Sequence, residues 1–468
     1  MDIHARLDEI DELGLTRRMR LVSGPQGPRV VLDGKPVLLL CSNNYLGLAD
    51  HPRVREAAAD AAMRWGVGAG ASRLISGTMT VHRRLEERLA AFSGRQGCLL
   101  FGSGYLANLG VIGALAGNGD VVFSDELNHA SIVDGCRLSR AEVVVYRHRD
   151  VEHLLWSMRR HGRRDSAARR LVVTDSVFSM DGDIAPLEEI VELAHAVGAR
   201  VAVDEAHATG TFGPGGRGAL AQAALEGEVD AIVGTLGKSL GSYGAYVCAD
   251  ETTIRYLLNT ARSFIFSTAP APPAVAGALA ALALLQERPH RVERLAANAR
   301  ALRRSLATEG FAVAEGDMHI VPLVVGDERE ALRLSHAAIE QGVFAQAIRP
   351  PTVAPGTSRL RLAAMASHTA SDMRLAAGVL AAAARKLGLD PSEIGTPPGD
   401  PEPAPELAEE RERDVEPAIA TRLAAPPSAP FDGQAPRPAR PPAPVASGED
   451  GAPGPFDGER EESVAHAA

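Results

Sequence analysis

The chain has 468 residues, 45% of them hydrophobic, and a formal net charge of −10, enough for two or three globular domains with substantial cores. The charge is uneven: residues 391–468 carry 16 acidic and 6 basic side chains, leaving 43 of each sign in the first 390. A neutral body without a basic block argues against nucleic acid as the main ligand, and the longest apolar stretch, Val275 to Leu285, is too short to span a bilayer.

The first ten residues are charged and contain no apolar secretory core. The four cysteines, Cys41, Cys98, Cys136 and Cys248, follow no disulfide or metal-ligand spacing, so the expected home is a reducing cytoplasm and no metal is expected. Residues 1–42 read as an N-terminal segment. From residue 43 to about 285, apolar runs alternate with helical patterns. Gly97-Cys-Leu-Leu-Phe, Asp120-Val-Val-Phe, Glu142-Val-Val-Val-Tyr, Leu171-Val-Val-Thr, Arg200-Val-Ala-Val, Ala231-Ile-Val-Gly and Gly244-Ala-Tyr-Val-Cys predict seven buried strands. Between them, segments such as Pro186-Leu-Glu-Glu-Ile-Val-Glu-Leu-Ala-His-Ala carry helical spacing. This alternation predicts a large α/β domain with a mainly parallel sheet. An alanine-rich helix from about Pro272 leads into a smaller α+β domain over 286–390, with strands at Ile320-Val-Pro-Leu-Val-Val and Ser358-Arg-Leu-Arg-Leu. The last 78 residues hold 17 of the 31 prolines and repeat Pro-Phe-Asp-Gly at 430–433 and 455–458. Such composition predicts a disordered tail over 391–468.

In open parallel sheets, ligands bind beyond the carboxyl ends of the strands. Taken in chain order, Gly102-Ser-Gly-Tyr-Leu-Ala-Asn follows a strand and opens a helix, either a phosphate cradle or a plain tight turn. His129 follows the next strand, where an imidazole could stack on a flat ring or serve the structure alone. Asp204 ends the strand Val201-Ala-Val and could bind a metal, pair with arginine, hold a protonated ring nitrogen or cap a helix; His207 follows three residues on. Lys238, one of only three lysines, sits in a glycine-rich turn 34 residues after Asp204. Arginine cannot supply a deprotonated amine, so this lysine is either a catalytic amine or one more surface cation. A nucleotide-binding P-loop is excluded, because Ile232 stands where that motif requires glycine. A phosphate cradle, a strand-end aspartate, a stacking histidine and a strand-end lysine are together what pyridoxal 5'-phosphate requires.

Residues from about 10 to 388 resemble the α-oxoamine synthase family of fold-type I pyridoxal-phosphate enzymes. The matching segments are Ser42-Asn-Asn-Tyr-Leu-Gly-Leu, Asn128-His-Ala-Ser, Val177-Phe-Ser-Met-Asp-Gly-Asp, Asp204-Glu-Ala-His-Ala-Thr-Gly and Gly234-Thr-Leu-Gly-Lys. The resemblance implies that Lys238 is the Schiff-base lysine, that Asp204 partners the ring nitrogen, that His207 bonds the phenolate oxygen and that His129 stacks on the ring. It further implies that Gly104 and Tyr105 bracket the cofactor, with Ser179 and Thr235 in contact with it, Thr235 at the phosphate. Arg361 matches the arginine that holds the amino-acid carboxylate, and neighbouring Arg359 reads as a surface charge. Arg17 (or Arg18, one place on) and Thr352 match positions near the acyl substrate. Ser267 and Thr268 resemble a segment that reaches the other subunit's phosphate, which implies a homodimer. Ile348-Arg-Pro-Pro-Thr-Val and Phe266-Ser-Thr-Ala point, within the family, to a member joining L-alanine to a pimeloyl thioester, pimeloyl-CoA or a pimeloyl carrier protein. Glycine with acetyl-CoA is the alternative pair.

Overall fold

In a computed structural model, residues 2–161 and 169–395 are described, and all of them fall in one compact unit. The repeated Pro-Phe-Asp-Gly and the expected disorder of the tail lie outside the described residues. The chain opens with strands β1 (Val22–Ser23), β2 (Arg29–Leu32) and β3 (Lys35–Leu39). The turn joining β2 to β3 is Asp33-Gly34, with φ of 47° and 83°. Two residues with positive φ match the twist of a hairpin, and Asp-Gly is the pair that tolerates it. These three strands were not read from the sequence, although that dipeptide signals them.

All seven apolar runs form strands of one sheet: β4 (Gly97–Phe101), β5 (Val121–Asp125), β6 (Glu142–Tyr146), β7 (Arg170–Asp175), β8 (Arg200–Asp204), β9 (Ala231–Thr235) and β10 (Ala245–Ala249). Their spatial order is β4-β10-β9-β8-β7-β5-β6. Only β10 runs against the rest, paired antiparallel with both β4 and β9. Every residue of β5, β9 and β10 is buried, as strands covered on both faces require. That double burial is why they appear in sequence as unbroken apolar runs.

A second set of strands comprises β11 (Ile320–Gly326), β12 (Val343–Phe344), β13 (Gln346–Ile348) and β14 (Ser358–Ala363). β11, β14 and β13 make a three-stranded antiparallel sheet, while β12 lies parallel to β3. Helices His290–Thr308, Glu328–Glu340 and Ala370–Lys386 enclose a separate core here, in which Leu302, Leu323, Leu334 and Leu380 are fully buried. Each such leucine contributes about 1.5–3 kcal/mol relative to an exposed one. Ile394 belongs to this core as well. Its carbonyl accepts from Ala312 N at 3.0 Å, and Gly395 O accepts from Val324 N at 2.6 Å. Packed chain therefore runs through residue 395, five residues into the tail expected from composition to begin at 391. Among the described residues no helix is long and apolar enough to cross a membrane.

Candidate active site at the strand ends

β7 and β8 both finish on aspartate, and Asp175 pairs in register with Asp204. Two buried carboxylates side by side are costly, so each is tied to donors. Asp204 Oδ2 accepts from Asn108 Nδ2 at 2.7 Å, and Oδ1 accepts from Ala206 N at 2.8 Å. Asp175 Oδ2 accepts from His129 N at 2.8 Å. Burial, and then the charge of Asp204, push the Asp175 carboxyl well above the usual carboxylate range.

Lys238 hangs in the loop between β9 and β10. That loop is a closed hairpin: Leu236 N donates to Gly244 O at 2.9 Å, and Gly241 N to Lys238 O at 2.9 Å. Gly241 has φ of 59°, and a Cβ there would come within 2.4 Å of Ala49 N, so the loop rests directly on the segment after Tyr45. The amine Nζ lies 2.7 Å from His207 Nε2. Burial lowers the Lys238 pKa to about 8, against the opposing pull of Asp204 and Asp175. Burial, reinforced by Lys238 and Arg361, holds His207 well below the ordinary imidazole range.

Tyr45 sets the tautomer of His207. Its hydroxyl donates to Asn43 Oδ1 at 2.9 Å, accepts from Arg361 Nη2 at 3.1 Å, and lies 2.8 Å from His207 Nδ1. With its one proton given to Asn43, the tyrosine oxygen accepts Nδ1–H, which leaves Nε2 as acceptor for the lysine. Arg361 is buried on β14, with Nε donating to Ser179 O and Nη1 to Asn43 Oδ1 at 3.3 Å. Lys238, His207, Tyr45 and Arg361 thus form one connected network.

His129 caps the helix Ala130–Ser139, its Nδ1 accepting from Ser131 N at 3.2 Å and lying 2.7 Å from Ser131 Oγ. Asn108 Nδ2 also donates to Ser131 Oγ at 2.9 Å, so Asn108 links the His129 ring to Asp204. His129 is exposed as a whole. Desolvation of the imidazole lowers its pKa, opposed by Asp204. Gly104 opens the helix Gly104–Leu115, capped by Ser103 Oγ. A Cβ on Gly104 would meet nothing within 4 Å, so the first-turn amides border open space where an anion fits. Thr235, at the end of β9, accepts from Gly237 N at 3.2 Å and donates to Gly244 O. The residues therefore fit pyridoxal phosphate: an amine of lowered basicity, a strand-end carboxylate, an exposed histidine that can meet a ring and a helix N-terminus.

Other expected residues stand apart from this network. Tyr105 is exposed and donates to Asp134. Arg17 is exposed beside Arg349, whose guanidinium holds Gly14 O and Thr16 O; the amide of exposed Thr352 donates to Arg349 O at 3.1 Å. Thr268 is exposed and bridges to Ser72. Arg359 is not the surface charge expected for it: it is buried and ion-paired with Asp181. β14 alternates faces, so residues two apart turn the same way, and Arg359 accompanies Arg361 inward. Tyr45, Asn108, Ser131 and Asp175 were missed. The apolar run Leu171-Val-Val-Thr ending on Asp175 repeats the Asp204 pattern and could have revealed that residue.

Residues 35–380 match the family model described as aminotransferase class I and II. An 8-amino-7-oxononanoate synthase of Geobacter metallireducens is 52% identical over 385 residues, 82% of this chain and 98% of that protein. One from Anaeromyxobacter sp. strain K is 52% identical over 392 residues, 84% of this chain and 97% of its own. Among solved structures, a serine palmitoyltransferase from S. paucimobilis with bound PLP–myriocin aldimine is 36% identical with a TM-score of 0.78, covering 83% of this chain and 100% of that one.

Proposed function

Since the chain belongs to the aminotransferase class I and II family, we propose that it condenses L-alanine with a pimeloyl thioester. The products are 8-amino-7-oxononanoate, carbon dioxide and free thiol, a step of biotin biosynthesis, and pyridoxal 5'-phosphate is the cofactor. The observation that carries this reading is Lys238 Nζ at 2.7 Å from His207, joined through Tyr45 to Arg361. That network supports reading Lys238 as the nucleophilic amine and Arg361 as the carboxylate receptor, and relatives at 52% identity over almost their whole length are 8-amino-7-oxononanoate synthases.

Bound at the strand ends, pyridoxal phosphate supplies an aldehyde carbon for the substrate nitrogen and a ring that accepts electrons. Lys238, with a pKa of about 8, keeps a share of neutral amine near neutral pH, so it would hold the cofactor's aldehyde carbon and, when free, could take the α-proton of the amino acid. Asp204 keeps the ring nitrogen protonated, backed by Asn108 and the Ala206 amide. His207 stands on the phenolate side, its Nδ1–H held by Tyr45 and its Nε2 turned toward Lys238. His129 stacks on the open ring face and steers the incoming thioester carbonyl. Gly104, Tyr105, Ser179 and Thr235 surround the cofactor, and Arg361 holds the amino-acid carboxylate by charge-assisted hydrogen bonds. Arg17 and Thr352, gathered around Arg349, form the acyl end. Exposed Thr268, with 71%-exposed Phe266 beside it, is the surface through which a second copy completes each site. The chain divides into the N-terminal segment 1–42, the large domain 43–285 and the small domain 286–390, the last supported by the core around Leu302, Leu334 and Leu380.

One assay panel tests the reading. Purified protein with pyridoxal phosphate is offered alanine, glycine and serine against pimeloyl and acetyl thioesters, with thiol release followed. Alanine with pimeloyl thioester should turn over fastest. Turnover of glycine with acetyl-CoA alone would overturn the substrate assignment while keeping the family.

A further inference from the structure

His148 lies just beyond β6 and plays no part in the network above. Its Nδ1 is 2.9 Å from Asp125 Oδ1, at the end of β5, and its Nε2 is 2.8 Å from Asp183 Oδ2. Neutral imidazole has one N–H, and an ionised carboxylate only accepts. Two carboxylate partners on two ring nitrogens therefore call for a doubly protonated ring. Burial opposes that charge, but the two aspartates outweigh it and raise the pKa to about 9. The other groups around the ring are Arg149, Glu126 and Phe178. The Arg149 amide donates to Asp125 Oδ2 at 2.9 Å, and its guanidinium reaches Asp183 at 3.4 Å. Glu126 Oε1 accepts from the His148 amide at 3.0 Å, and the Phe178 ring meets the imidazole with centroids 4.3 Å apart.

Asp183 ends a tight loop that begins at Val177. Phe178 N donates to Asp183 O at 3.0 Å, Gly182 N to Phe178 O at 2.9 Å, and Val177 bridges Ile184. Gly182 has φ of 74°, and a Cβ there would sit 2.6 Å from Ile320 O, so the loop is seated directly on β11. The same loop offers the Ser179 carbonyl to Arg361 and the Asp181 carboxylate to Arg359. We propose that His148 is a positioning residue for the amino-acid substrate: by bridging Asp125 to Asp183 it locks the 177–183 loop, which in turn fixes Arg361. The inference rests on the reading of Arg361 as the anchor of the substrate carboxylate.

Holoenzyme variants His148→Gln, Asp183→Asn and Arg361→Lys separate the two claims. Steady-state kinetics at pH 7.5 should show that His148→Gln raises the KM for the amino acid about tenfold, equivalent to about 1.4 kcal/mol. The KM for the thioester and kcat should stay within about twofold, with the visible cofactor band retained. As pH passes about 9 the native amino-acid KM should climb relative to that of His148→Gln, which shares the substrate's own titration. A native amino-acid KM in His148→Gln, with Arg361→Lys impaired, sinks this inference alone. An unchanged KM in Arg361→Lys sinks the reading beneath it. Equal damage to both KM values and to the cofactor band in His148→Gln would mean a general structural role and also overturn the proposal. If that variant does not fold, Asp183→Asn is judged by the same criteria.

Discussion

His207 follows the central strand β8 of the large sheet and His148 follows its edge strand β6, and burial drives both toward neutrality. Their partners send them apart. His207 is surrounded by Lys238, Arg361 and a second buried imidazole, His319, and is held well below the ordinary histidine range. His148 lies between two aspartates and is raised to about 9. The difference teaches that a buried histidine takes its charge from its neighbours, so His207 stays neutral beside the amine while the scaffold uses the proton of His148 as a clasp.

The most forceful way to probe the reactive half is Lys238→Ala, which should reduce thiol release at least about 10³-fold, the scale expected for losing both a nucleophile and a base. Loss of the cofactor's visible band should accompany it; near-native turnover would dissolve the contrast. The scaffold half is tested by stability against pH. His148 has a folded pKa raised above the unfolded value of about 6.5, so its contribution is complete below that pH and disappears as pH rises through about 9. Denaturant melts should lose about 3 kcal/mol over that window, and His148→Gln should be nearly flat there. Tyr45→Phe attacks the hinge between the regions. It strips the acceptor from His207 Nδ1 and Arg361 Nη2, and should cost about 1–3 kcal/mol by urea melts. The smallest expected effect is kinetic. Apoprotein should bind cofactor faster as pH rises through about 8, because only the neutral Lys238 amine attacks; about a tenfold change between pH 7 and 9 would show in the absorbance.

Legibility in the sequence followed how local the cause was. Doubly buried strands leave unbroken apolar runs, so all seven strands of the large sheet could be read. The strand ends then exposed Asp204 and Lys238, because chemistry at a sheet's carboxyl edge needs no long-range knowledge. Asn108 and Tyr45 stayed hidden because their partners lie 96 and 162 residues away, and a polar side chain in a helix or loop carries no mark of what it will meet. Arg359 and Arg361 look alike in sequence. Only the packing of loop 177–183 gives one an aspartate and the other a carbonyl and a phenol. Ile394 was lost in a proline-rich context, since a single apolar residue gives no period to detect.

The reversed direction of β10 has a mechanical consequence for the reactive amine. Had that strand run with its neighbours, a crossover of a dozen residues or more would have carried the lysine. The observed return spans only 236–244 and is cinched at both ends. Lys238 is thus mounted on a short, stiff bracket, and any exchange of bonding partner must be made by swinging its four-carbon arm while the backbone stays put.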